Sequence, residues 1–245
     1  MGTLGDYVPL TGEILVNTVT QGDQRNPSIA MDADGDLVVV WESKGDNVDG
    51  SWGIFGRRFN SVGTPLGDQF RVNTHTQNDQ LNPAVSMDEF GNFVVVWASK
   101  GQSYSYFNDV RGQVYNHRGE RVTSEFRVNE ANIPGTQTLP GSIELNPTVA
   151  MDITGNFVVA WELAVAQNDG VALESDIYAR VFDALANPTT GEFQVNDGTS
   201  SFLADPEHNP REDAGAGGDL FRRARNPQAT MDGDGIFIIV WEAFQ

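Results

Sequence analysis

Asn82-Pro83-Ala84-Val85-Ser86-Met87-Asp88, followed after two residues by Gly91-Asn92-Phe93-Val94-Val95-Val96-Trp97, is the stretch on which the reading of this chain turns. It occurs four times. The other copies run from Asn26-Pro27 through Met31-Asp32 to Leu37-Val38-Val39-Val40-Trp41, from Asn146-Pro147 through Met151-Asp152 to Phe157-Val158-Val159-Ala160-Trp161, and from Asn226-Pro227 through Met231-Asp232 to Phe237-Ile238-Ile239-Val240-Trp241. Methionine and tryptophan stand ten residues apart in every copy. A repeat of this kind outranks what length alone says about domain number.

Within one copy the pattern predicts four short strands. Ala84 to Met87 follows Asn-Pro, and a proline, lacking a donor, suits the first residue of a strand. Asp88 to Asn92 is a tight turn in which Asp bonds back to the backbone and Gly supplies positive φ. Phe93 to Trp97 is a continuous apolar β-branched run, the mark of a strand buried on both faces. Val110 to Tyr115 alternates as a half-exposed strand does. Glu125 to Asn129 is a more polar fourth strand.

Working outward, Val16 to Val72 and Val72 to Val128 both span 56 residues. The third unit keeps the frame at Ile177, Phe182 and Val195, 67 residues beyond Val110, Tyr115 and Val128. The excess is in loops: eight residues between Val128 and Met151, three after Trp161, twenty-one between Val195 and Met231. Insertions that recur in equivalent loops fall on one face of a repeat array, often the binding face.

A four-stranded unit this thin cannot bury both faces alone. The expectation is an all-β, β-propeller-like array of four-stranded blades in one domain, residues 1–245, with units at about 14–73, 74–129, 130–196 and a partial fourth at 197–245. Pro9-Leu10 to Val16-Asn17 aligns with Pro65-Leu66 to Val72-Asn73, so the chain opens on a fourth strand. Two architectures stand: a small ring with a shortened blade, or part of a larger propeller, whose exposed blade faces would favour self-association or contact with other protein modules.

Composition narrows the partners. Against 34 acidic residues there are 15 basic ones, a net charge of -19. Such a surface repels phosphate backbones and anionic lipid, so nucleic acid is a poor partner; no run is long and apolar enough for membrane insertion. It attracts cations, Ca²⁺ above all; a solubility role is the other reading. Cysteine is absent, which excludes disulfides, thiolate zinc sites and a Cys nucleophile. Residues 1–6 lack the basic and apolar regions of a signal peptide.

Val16-Asn17-Thr18, Asp23-Gln24-Arg25-Asn26-Pro27, Leu37 to Trp41 and Gly56 to Gly63, with their counterparts Val72-Asn73-Thr74, Asp79-Gln80-Leu81-Asn82-Pro83, Phe93 to Trp97 and Gly112 to Gly119, resemble a repeat found in tandem in very large bacterial secreted proteins of the haemolysin-type (RTX-like), adhesin-like calcium-binding class. Units three and four lack the Asp-Gln element, and the glycine-aspartate nonapeptides that bind Ca²⁺ in true RTX regions are absent. The resemblance implies a secreted or cell-surface protein with a role in adhesion or scaffolding and no enzyme chemistry.

Two loops are candidate Ca²⁺ sites. Asp32-Ala33-Asp34-Gly35-Asp36 alternates carboxylates around a glycine, as a short cation-wrapping loop does; Asp46 and Asp49 offer a second set. A structural turn competes in both, since Asp first and Gly fourth is what a tight hairpin needs. Asp23-Gln24, Asp79-Gln80 and the four Asn-Pro asparagines read as polar links between blades. The four recurrent tryptophans read as core. Trp52, Tyr104 and Tyr106 lie outside the repeat frame and are candidate ligand-binding aromatics. No catalytic frame stands out. His75, His117 and His208 occupy unrelated positions, and no nucleophile elbow or phosphate loop is present. The leading expectation is therefore a non-enzymatic extracellular module for adhesion, surface scaffolding or assembly, stabilised by calcium. A carbohydrate-binding propeller is the alternative, and a glycosidase or lyase with channel carboxylates the third.

Overall fold

The computed structural model describes residues 12–45, 47, 49–102, 108–130, 142–166, 173–196 and 223–244. Fourteen strands and no helix occur among them, so no described helix is long and apolar enough to cross a membrane. Each of the first three repeats forms an antiparallel meander: β1(Gln24–Met31), β2(Leu37–Lys44), β3(Trp52–Phe59) and β4(Phe70–Arg71); β5(Gln80–Met87), β6(Phe93–Lys100), β7(Asn108–Tyr115) and β8(Phe126–Arg127); β9(Ser142–Met151), β10(Phe157–Ala166), β11(Leu173–Phe182) and β12(Phe193–Gln194). The fourth repeat supplies β13(Arg223–Met231) and β14(Phe237–Phe244), an antiparallel pair joined to the third sheet by one parallel bridge, Ser175 to Arg223.

The first strand of each unit is longer than the sequence pattern predicts, and the proline lies inside it. The reason is a bulge. Asn26, Asn82, Asn146 and Asn226 all adopt left-handed φ between 49° and 54°, and the register shifts at Arg25/Ser28, Leu81/Ala84 and Arg225/Gln228. Asparagine is among the few non-glycine residues that tolerate this conformation. The bulge leaves the following residue unpaired, so the proline's missing donor costs nothing there. We therefore expect Asn82→Gly to stay within about 0.5 kcal/mol of the parent and Asn82→Ala to lose about 1 kcal/mol, measured by urea unfolding.

The four turns joining first to second strands are near-identical. Asp32 Oδ1 accepts the amides of Asp34 and Asp36 at 3.0 and 2.9 Å. Asp88, Asp152 and Asp232 repeat this, each with a positive-φ glycine in fourth place.

Sheets stack face to face, which makes the fold propeller-like. Alternate residues of each apolar second strand serve opposite neighbours. Val38, Val40, Ile54 and Val72 of the first sheet meet Val85, Phe93, Val95, Trp97 and Tyr115 of the second. The second and third sheets, then the third and fourth, meet by equivalent residues. The recurrent tryptophans are core as expected: Trp97 and Trp161 are fully buried and Trp41 nearly so. Trp97 Nε1 donates to Gln80 Oε1 at 3.0 Å. First strands contact one another in the order β1, β5, β9, β13, so they form the inner edge of an arc. Among the described residues β1 and β13 have no comparable contact. The two outermost faces consequently expose apolar side chains: Ile29 and Met31 at one end, Ile238 and Val240 at the other.

Candidate functional site

A meander of four strands has two unlike ends. One carries the short turns between first and second and between third and fourth strands. The other carries the connections from second to third strand and from one sheet to the next. The insertions noted in the sequence belong to these connections. Neighbouring long loops are tied together there: Asp49 Oδ2 accepts the Asn78 amide at 2.7 Å.

At this end, on the inner edge, a polar cluster bridges the first two sheets. Glu42 follows the buried Trp41 and is itself fully buried. Its carboxylate accepts from Arg25 Nε at 2.6 Å, from Asn26 Nδ2 at 2.9 Å and from the Asn82 amide at 2.7 Å. The Arg25 guanidinium lies 3.9 Å over the Trp52 ring, with Lys44 Nζ 5.6 Å from the same ring. Trp52 is half-buried and Asn26 exposed. The bulge aims this group, because left-handed asparagine turns the strand at that point and Glu42 fixes where it turns. The asparagine–glutamate pair recurs between the third and fourth sheets, there with the arginine supplied by the neighbouring sheet. Asn146 Nδ2 donates to Glu162 Oε2 at 3.1 Å and to Asn226 Oδ1 at 3.2 Å, and Asn226 Nδ2 donates to Glu242 Oε2 at 3.2 Å. Arg225 Nε stands 3.7 Å from Glu162 Oε1. The second unit has Ala98 in place of the glutamate.

A second charged group lies between the second and third sheets. Asp109 pairs with Arg111 at 3.0 Å and Arg127 at 2.6 Å. Glu144 Oε1 accepts from Asn129 Nδ2 at 3.1 Å, while Oε2 is buried without a hydrogen-bond partner among the described residues. Burial, with Asp109 and Glu192 nearby, pushes this carboxyl up to about 7. Burial and Glu130 push Glu192 up to about 6, against the Glu130 amide that holds it down.

The sequence-derived sites fall in different places. Asp32 holds its own turn, and Asp36 Oδ1 accepts the Ser61 amide at 3.0 Å; the Asp34 side chain is exposed. Asp49 is also committed to the backbone: its Oδ1 takes the Ser51 hydroxyl at 2.5 Å and the Ser51 amide at 3.1 Å, and these bonds hold its carboxyl down to about 2. Asp46, Tyr104 and Tyr106 lie outside the described residues. Among the described residues no three His, Asp or Glu side chains converge as a metal site would require. Trp52 opens β3 rather than lying in a loop, and it belongs to the Arg25–Glu42 cluster. Asp79 Oδ1 accepts the Trp52 amide at 3.3 Å, so it does link two sheets, whereas Gln80 bonds within its own. Sequence reasoning missed Glu42, Arg25 and Glu144. The signal available for the first was its recurrence after tryptophan in three of four copies.

No family model and no curated protein matches the chain. Solved structures do. An α-L-arabinofuranosidase from Fusarium graminearum, solved with an iminosugar inhibitor, superposes with a TM-score of 0.53 at 13% identity, over 93% of this chain and 74% of its own. The levansucrase of B. megaterium gives 0.51 at 7% identity, over 84% and 59%. A Hadza microbial sialidase gives 0.46 at 13% identity over 68% of this chain, which spans 38% of the sialidase's length. Identities this low speak to the fold. They nonetheless correct the expectation of a non-enzymatic module for adhesion, scaffolding or assembly: the fold is shared with enzymes that process carbohydrate, an arabinofuranosidase and a levansucrase.

Proposed function

We propose that this chain is part of a carbohydrate-active propeller protein acting on glycosidic bonds, and that the glycan rests at the long-loop end of the inner edge on Trp52, Arg25 and Asn26. The observation that carries this reading is the Arg25–Trp52–Asn26 cluster held by buried Glu42. A half-exposed indole, a guanidinium with free N–H groups and an exposed amide give the flat apolar face and fixed polar groups that sugar recognition uses. Glu42 is a positioning residue, because its oxygens are already taken by protein donors. The fold shared with an arabinofuranosidase and a levansucrase supports the substrate class. The acidic composition and the resemblance of the repeat to those of large secreted proteins support a location outside the cell.

The test is a panel of arabinan, xylan, levan and sialosides, assayed for sugar release and by calorimetry. The expected result is release from one class, with Trp52→Ala and Arg25→Ala each raising KM about tenfold, Trp52→Ala at unchanged melting temperature. Binding without turnover would remove the enzymatic part, and neither binding nor turnover would remove the reading altogether.

A further inference from the structure

The chain has two lysines, Lys44 and Lys100, and one of them stands at the Trp52 cluster. Lys44 closes β2 and pairs across the sheet with Trp52, which opens β3. Its Nζ lies 5.6 Å from the indole centroid, and the Arg25 guanidinium lies 3.9 Å from it. Two cations therefore share one half-buried ring on a chain whose net charge is -19. The combination is confined to the first unit. The second keeps a lysine at the same place, Lys100, but has Leu81 for Arg25 and Asn108 for Trp52. The third has Leu145, Ala164 and Ser175.

The carboxylates that touch this group are committed inward. Glu42 is fully buried, and its oxygens take Arg25 Nε, Asn26 Nδ2 and the Asn82 amide of the second sheet. Asp79 Oδ1, also of the second sheet, takes the Trp52 amide. Glu42 thus holds Arg25 by Nε. The two Nη groups of Arg25 and Lys44 Nζ donate no hydrogen bond among the described residues, and both side chains reach solvent. A guanidinium stacked on a ring and pinned at Nε presents its Nη groups as a fixed fork. That fork matches the two coplanar oxygens of a carboxylate, and the ammonium beside it adds a point charge.

We propose that the glycan is anionic: a sugar carboxylate, of the kind uronic and sialic acids carry, bridges the Nη fork of Arg25 and Lys44 Nζ beside Trp52. The inference rests on the glycan reading above and names its substrate class. The charge of the whole chain makes it demanding, because a net -19 repels anions at long range. Affinity for a carboxylated sugar then has to come from short-range contacts at one site, and these two cations supply them. Arg25 brings little ordering cost, since Glu42 and the indole already hold it. A sulfate, whose three oxygens are not coplanar, suits one fork and one ammonium less well.

The experiment is calorimetry of the 245-residue chain with each acid against its uncharged counterpart: trigalacturonate against its methyl ester, and sialyllactose against lactose. A galactose sulfate serves as a second kind of anion. One of the two acids should bind at least about tenfold more tightly than its counterpart, and which one does tells uronate from sialate. Lys44→Gln should weaken binding of that acid about fivefold and leave the uncharged sugars unmoved. Lys100→Gln should change neither. Both lysines are exposed and occupy the same strand position, so the two variants remove the same charge, and melting temperature checks that both fold. Equal affinity for acid and counterpart, with Trp52→Ala still weakening both, overturns the anionic inference and leaves the glycan reading standing. An equal loss in the two lysine variants, or a sulfate bound as tightly as the acid, overturns it as well. No binding of any of these sugars removes both.

Discussion

Glu42→Ala is expected to lower unfolding free energy by about 3 kcal/mol, the largest loss we anticipate from a single substitution outside the apolar core. Three donors converge on this carboxylate, from two sheets. Truncation strands the Asn82 amide and leaves a void at the junction of the first two sheets. The Arg25 share is smaller, because its side chain is 49% exposed and water takes over part of the ion pair. Glu42→Leu separates the contributions: it refills most of the volume, so whatever loss remains belongs to the stranded donors. Urea unfolding at neutral pH measures both. A loss under about 1 kcal/mol for Glu42→Ala would show that apolar stacking alone holds the junction. The same substitution frees Arg25 from its anchor, so glycan affinity should fall together with stability in Glu42→Ala, whereas Trp52→Ala should lower affinity alone.

Most of the fold was legible because it is repeated. Ten residues from methionine to tryptophan, four times over, fix a hairpin and its register, and the apolar run after each Asp-x-x-Gly turn can only be a strand covered on both faces. The interior proline was misread for a local reason. As a strand breaker it marks a first residue, but an asparagine in left-handed φ just before it creates a bulge in which no donor is needed. The turn aspartates show the reverse ambiguity. Asp32, Asp34 and Asp36 have the spacing of a cation loop, yet Asp32 also satisfies two backbone amides by itself, and composition cannot separate those roles.

The site was harder to see because its residues are unremarkable singly. Arg25 aligns with Leu81 and Leu145, and Glu42 with Ala98, so a search for invariant positions passes over both. What makes them a cluster is the bulge, which brings the first and second strands of one sheet against the first strand of the next. Trp52 was singled out for lying outside the repeat frame, and that departure is also what puts an indole under the Arg25 guanidinium. Glu144 escaped notice for a similar reason: it replaces the Gln80 of the preceding unit by one atom's difference, and only burial makes the change matter.

Glu144→Gln should therefore stabilise the chain, and only above the ordinary carboxylate range. In the second sheet Gln80 Oε1 accepts the Trp97 indole N–H. In the third, Trp161 Nε1 is buried without a hydrogen-bond partner among the described residues, and so is Glu144 Oε2. Burial, chiefly, pushes the folded carboxyl up to about 7 from its ordinary value of 4.5. The fold thus favours the neutral form. Its stabilising contribution is complete below the unfolded value and is lost as pH rises through the folded one. A shift of this size corresponds to roughly 3 kcal/mol between the two limits, and Glu192, displaced in the same direction, titrates together with it. Glutamine keeps the neutral shape at every pH and can take up the Trp161 N–H. The expected result is wild-type stability that declines between about pH 5 and pH 8, a flatter profile for Glu144→Gln, and a gain of about 2–3 kcal/mol for the variant at the alkaline end with little difference at the acid end. Urea melts across that range decide the matter: parallel profiles for the two proteins would mean that Glu144 is ionised in the folded state throughout, compensated by Arg127 and Asn129 more fully than its burial implies.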